Sequence, residues 1–189
     1  MGPTTSAQRR PSIGRSAVNR VHCPSCGAEH DLSEIEPSFD RPDAYFDIPS
    51  ELRAERSWNA DEFCVLWESE STPRRHFVRA LLPFQIRGES AQYSWATWVE
   101  VTEREFGFIH DHWSDPAETS SSPIPGRLAN AFPGMATTMG LAGQLRLTRP
   151  RTVPDFYFDA MTDHSLAAEQ RDGVLLERVI EWAALVMHP

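Results

Sequence analysis

From Arg74 to Thr102 two runs rich in apolar residues are separated by the polar turn Gly88-Glu89-Ser90-Ala91-Gln92, and the second run alternates. The pattern predicts two strands joined as a hairpin. In the second run Tyr93, Trp95, Thr97, Val99 and Val101 share one face by the two-residue period, and Ser94, Ala96, Trp98 and Glu100 share the other. The first face is expected to meet the core, which leaves Trp98 as the one large apolar residue opposite it. Shorter runs predict strands over 62–68, 144–148 and 153–158, with Pro154 marking a strand start or an edge. Ser50, after Pro49, is placed to cap a short helix over ELRAER. Thr102-Glu103-Arg104-Glu105 is a capping box that opens a helix reaching to about Trp113. Asp163 is expected to cap a helix that stops at Asp172-Gly173. The segment 174–187 is apolar on most sides, as in a helix docked on a sheet. Tyr45, Phe46 and Ile48, in an acidic and proline-interrupted stretch, are expected to anchor it to the core. Strands in the middle and helices at the ends give an α+β class, with a mainly antiparallel β-sheet, flanking helices and an N-terminal turn like a zinc knuckle.

Composition adds limits. A chain of 189 residues suits one domain. Residues 1–20 hold Arg9, Arg10, Arg15 and Arg20, no acid, and mostly Pro, Ser, Thr and Gly otherwise, which predicts a disordered basic tail before a single domain over 21–189. The formal net charge of −9 argues against nucleic acid, which needs a basic footprint. All 18 basic residues are arginine, a side chain suited to bidentate carboxylate pairs. No apolar run approaches the ~20 residues of a membrane span, and the N-terminus has no apolar signal core. The expectation is a soluble cytoplasmic protein without a membrane partner.

Candidate chemistry begins at Cys23-Pro24-Ser25-Cys26-Gly27. Two thiolates at this spacing hold one metal ion, and His30 reaches as a third ligand. The third of the three cysteines, Cys64, would complete a Cys3His zinc site on Cys23, Cys26, His30 and Cys64, with His22 or His76 as substitutes for the fourth place. Four protein ligands would make the zinc structural. The alternative is that Cys64 is a small buried hydrophobe. Arg79 lies in an apolar strand and needs a partner, for which Glu100 on the next strand is the simplest choice. A second possibility is that Arg79, Arg127 and Arg149 converge on an anionic ligand, with Trp98 as its floor. His110-Asp111-His112 falls on a helix, where i and i+2 point apart, so a solvated face is expected. No nucleophile elbow, phosphate loop, H-E-x-x-H or dinucleotide glycine pattern occurs.

Several of these residues recur in one order along 21–188. They are Cys23-x-x-Cys26-Gly27 with His30, Pro42-Asp43-x-Tyr45, Ile48-Pro49, Asp61 with Cys64, and Phe77-Val78-Arg79. Trp95-x-x-Trp98, Arg127-Leu128-Ala129-Asn130, Arg149-Pro150 and His164-x-Leu166-Ala167 with Gln170 and Gly173 follow. In this the chain resembles an uncharacterised bacterial family, domain of unknown function 2199, departing from its pattern at Ala80 and Ala96. The resemblance implies a fold unit and a metal turn and brings no activity. Two functions are expected from the residues. One is a non-enzymatic, zinc-stabilised domain that binds a protein partner, of the accessory or immunity type. The other is a binder of a small anionic ligand, or an enzyme acting on one, through the arginines and Trp98.

Overall fold

The computed structural model describes residues 20–22, 27–31, 37–90, 92–114 and 123–187. The expected tail, residues 1–19 above all, lies outside the described residues. A two-stranded antiparallel sheet pairs β1 (Arg20–His22) with β2 (Glu29–Asp31). The short helix α1 (Asp43–Phe46) follows. A 3-10 turn (Ser50–Leu52) then runs into α2 (Arg53–Arg56), so the helix expected from Ser50 is divided in two.

The main sheet runs β3 (Ser57–Asn59), β4 (Phe63–Leu66), β5 (Arg75–Gln85), β6 (Gln92–Val101), β7 (Ile124–Leu128), β8 (Ala142–Arg146) and β9 (Asp155–Phe158). Each strand is antiparallel to the next. Strand β9 then returns to β5 in parallel, with Leu81 opposite Asp155 and the Leu81 N–H donating to Pro154 O at 2.8 Å. Strands β5 to β9 therefore close into a five-stranded barrel, and β3 and β4 extend the wall beyond it from the first residues of β5. Helices α3 (Glu103–Asp111), α4 (Ser165–Asp172) and α5 (Leu176–Met187) complete the α+β domain. No helix of the described residues is long and apolar enough to cross a membrane.

Alternation sets the contents of the barrel. Val78, Ala80, Leu82 and Phe84 point inward from β5, and Tyr93, Trp95, Val99 and Val101 from β6. Ile109 of α3, Leu166 of α4 and Trp182 of α5 join the same cluster, with the Trp182 ring 4.8 Å from Phe84. Two glycines, Gly126 of β7 and Gly143 of β8, face each other across the wall. A Cβ on Gly126 would strike Val99, and one on Gly143 would strike the Tyr157 carbonyl and the Phe156 ring. Both stay bare because the interior of so small a barrel is already full.

The opposite face of β4, β5 and β6 is also covered. Cys64, Leu66, Phe77 and Trp98 form a second cluster with Ala44 and Ala129, capped by Phe39, Tyr45 and Ile48. Trp98, alone among polar neighbours in the sequence pattern, is thus fully buried beneath residues 37–48, and its indole N–H donates to Phe39 O at 3.1 Å. Phe46, expected as an anchor, is instead 54% exposed. In α1 its neighbours Ala44 and Tyr45 take the inner side.

Backbone bonds of Pro37 and Phe39 with Ala96 and of Asp43 with Ala129, together with one buried amide, tie this cover to the barrel. Asn130 Oδ1 accepts from the Trp98 N–H at 2.8 Å and from the Thr97 hydroxyl at 3.1 Å. Its Nδ2 donates to Arg41 O at 2.9 Å and to Asp43 Oδ1 at 2.8 Å. Asp43 Oδ2 accepts from the Ala131 N–H, and the Thr138 hydroxyl donates to Asn130 O, each at 2.8 Å. At the termini of the helices the Thr102 hydroxyl accepts from the Glu105 N–H at 3.3 Å, as its capping sequence predicts. The cap of α4 is His164, whose Nδ1 accepts from Leu166 N–H at 3.1 Å, and not Asp163, which lies one residue too early. Gly173 ends that helix at φ +79°.

Because all four hydrogen-bonding positions of the buried Asn130 amide are used, Asn130→Ala should destabilise the fold by roughly 3–5 kcal/mol in denaturant unfolding. A loss below about 1 kcal/mol would show that the network is not needed.

Candidate ligand site on the outer face of the barrel

Arg79 points outward from β5, opposite Trp98 on β6. Its backbone N–H donates to Glu62 O at 2.9 Å, which brings the turn before β4 beside it. The expected partner is taken. Glu100 is a diagonal neighbour of both Arg75 and Arg79, and it forms a two-pronged pair with Arg75, Nε and Nη2 each at 2.8 Å. Among the described residues the half-buried Arg79 guanidinium makes no hydrogen bond or ion pair. It opens instead into a depression of about 440 Å³, shared with Asp40, Arg41, Tyr45, Phe46 and Asp61.

Asp40, Arg41, Tyr45 and Phe46, on one side of this depression, belong to the cover over Trp98. Arg41 lies over the Trp98 ring at 5.7 Å, with Nη1 donating to Asp40 O at 3.1 Å. Tyr45 and Phe46 meet edge to face at 5.4 Å. Arg53 backs both rings, at 5.1 and 5.5 Å, and its Nε donates to Ile48 O at 3.0 Å. Burial raises the Glu62 carboxyl above its ordinary value, the neighbouring Asp61 adds to the rise, and Arg79 opposes it.

The other expected site residues are dispersed. Arg127 donates to Gly140 O at 3.0 Å and lines a different depression with Glu100, Thr102 and Asp159. Arg149 lies in the exposed turn before β9. Trp98 is too deeply buried to floor an open groove. The arginine that does join Arg79 is Arg41, which the apolar and polar pattern leaves unmarked because it sits in an irregular segment. The Arg41-Pro42-Asp43-x-Tyr45 run is the signal that could have found it. His110 is exposed, and His112 stacks on Phe108 at 4.3 Å, as a helix surface allows.

Of the expected metal ligands, Cys23 and Cys26 lie outside the described residues, and His30 is described by its backbone alone. Cys64 is fully buried in the second cluster, and burial pushes its thiol up to about 12, partly offset by Arg41. His76 faces the other side of the sheet, against Phe106 at 5.0 Å, and burial lowers its pKa. Among the described residues no group of three or more His, Cys, Asp or Glu side chains is placed to hold a metal ion.

A family model described as an uncharacterised protein conserved in bacteria, DUF2199, matches residues 22–174. No curated protein and no solved structure matches the chain.

The charges around Arg79 give a direct test. A carboxyl whose folded pKa lies above its unfolded value favours folding below the ordinary glutamate range, and that contribution is lost as pH rises through the folded value. Arg79→Met removes a cation that holds Glu62 down. The Glu62 midpoint, followed by NMR of the side-chain carbon, should rise further in the variant, and the acid-side share of stability should extend to higher pH. An unmoved midpoint would place Arg79 away from Glu62.

Proposed function

The chain belongs to the DUF2199 family of proteins conserved in bacteria, and on that footing we infer that it is a binding domain for a small ligand carrying a carboxylate. The observation that carries this reading is the unpaired Arg79 guanidinium, half-buried in the barrel wall and open to a depression with a second arginine at its edge. A buried or half-buried arginine is stabilised by an anion, and its planar fork matches a carboxylate in two-pronged geometry. Tyr45 and Phe46 supply an apolar wall, which suits a small organic ligand. The nearby Cys64 is held as a buried, neutral thiol, so charge recognition is the chemistry on offer.

Titration with 3-phenylpropanoate, an aromatic carboxylate, tests this reading. Amide and side-chain signals of Tyr45, Phe46 and Arg79 should shift saturably, and Arg79→Met should abolish the shifts. Since the Arg79 guanidinium forms no hydrogen bond or ion pair among the described residues, and only a longer-range attraction to Glu62, the same variant should change stability by less than about 1 kcal/mol. Destabilisation by several kcal/mol, on the order of a broken buried pair, would make Arg79 structural instead.

A second reading rests on the N-terminal hairpin. Strands β1 and β2 pair with His22 opposite Glu29, on either side of the Cys23–Cys26 sequence, and Gly27 has φ +71°. Two cysteines at this spacing, held between paired strands, suit a structural zinc. The site proposed is Cys23, Cys26 and His30, with Cys64 as fourth ligand. The apolar packing of Cys64 keeps His22 as the competing choice. Purified protein should carry about one zinc per chain, lost in Cys26→Ser. Zinc retained in Cys64→Ser assigns the fourth place elsewhere, and a metal-free wild type removes the site.

A further inference from the structure

The depression around Arg79 carries both signs of charge. Asp40 and Asp61 share it with Arg41 and Arg79. Neither acid forms an ion pair with either arginine among the described residues, although all four line one space of about 440 Å³. The backbone explains why they stay apart. Arg41 is drawn over the Trp98 ring, and its hydrogen bond goes to the backbone carbonyl of Asp40 and not to the carboxylate. Arg79 is fixed by its strand, with Trp98 opposite, while Asp61 belongs to the turn before β4.

Such a set discriminates among ligands by charge pattern. A simple anion is attracted by the two arginines and repelled by the two aspartates, so much of its gain cancels. A simple cation meets the reverse. A ligand with a carboxylate and an ammonium a few ångströms apart satisfies both halves at once, and leaves neither sign unpaired on binding. Beside the charges stand Tyr45 and the half-exposed Phe46, rings held edge to face at 5.4 Å and backed by Arg53. They offer a wall for an apolar side chain.

We propose that this site takes a free α-amino acid with an apolar or aromatic side chain. Arg79 and Arg41 receive the carboxylate, Asp61 and Asp40 the ammonium, and Tyr45 with Phe46 the side chain. The proposal rests on the carboxylate-binding reading above and narrows it from an anion to a zwitterion. It also separates a free amino acid from a peptide terminus, which presents only one of the two charges.

Three probes of one carbon skeleton test it on the full chain by calorimetry at neutral pH. They are L-phenylalanine, 3-phenylpropanoate and L-phenylalanine amide, which carry both charges, the negative one and the positive one. L-Phenylalanine should bind at least about tenfold more tightly than either of the others, the ratio that each 1.4 kcal/mol of differential interaction gives. Asp61→Asn, at an exposed turn position, should lower the affinity for L-phenylalanine towards that for 3-phenylpropanoate and leave the latter as tight or tighter. Equal binding of L-phenylalanine and 3-phenylpropanoate, or an undiminished preference in Asp61→Asn, overturns the zwitterion and leaves the carboxylate reading standing. Tightest binding of the amide overturns it as well. Failure of all three probes to bind overturns both readings.

Discussion

The outer surface of this barrel is organised by the side chain of Asn130. A strand wall that buries Trp98 on the side away from the barrel interior must be covered, and the cover, residues 37–48, is mostly irregular backbone with little regular structure of its own. Irregular backbone over an apolar face is tolerable only if its polar groups find partners. Ala96 and Ala129 supply some of them through the backbone, and Asn130 adds a side-chain link, joining the Trp98 amide on one side to Arg41 and Asp43 on the other. The position of Arg41, and through it the charge pattern around Arg79, therefore depends on an amide that touches no ligand. Asn130 is a positioning residue for the site.

The electrostatics of the face follow from which pairs are satisfied. Glu100 could have served either of two arginines, and taking Arg75 leaves Arg79 open. Burial raises the pKa of Glu62 and of Cys64, while Asp40, Arg41, Asp61 and Arg79 line the depression itself. The chain is acidic overall, with a net charge of −9, yet at this depression two arginines balance two aspartates. The proposed site, locally neutral within an acidic protein, would gain its selectivity from arrangement and not from bulk attraction.

Two apolar runs around a polar turn made the hairpin of β5 and β6 legible, period-two alternation marked the inward face from Tyr93 to Val101, and the Thr102 cap was readable from four letters. Barrel closure was not. It rests on one parallel pairing, Leu81 with Asp155, and on two bare glycines whose need for space is visible only once Val99 and Phe156 are in place. Trp98 looked like an exception to its face because alternation describes one sheet with one core, whereas this wall has apolar packing on both sides. Arg79 was marked as an arginine in an apolar strand in need of a partner, but the expected partner, Glu100, is taken by Arg75. The companion of Arg79 was not marked, because Arg127 and Arg149 were joined to it by residue type, while Arg41 reaches it through a segment with no periodicity to read. The cysteine turn was legible as chemistry alone, and Cys64 shows the ambiguity of that signal, since a fully buried thiol among hydrocarbon satisfies the packing without any ion.

The single parallel closure has a consequence for how the chain comes into being. Translation delivers β5 and β6 early, and they can pair at once, being adjacent in sequence. Yet the free half of the β5 edge waits for Asp155, and the Arg41–Asp43 part of the cover over Trp98 waits for Ala129 and Asn130. Until the last third of the polypeptide has left the ribosome, the nascent hairpin exposes an unpaired edge and two apolar faces, and folding of the early part is held back by the arrival of the late part.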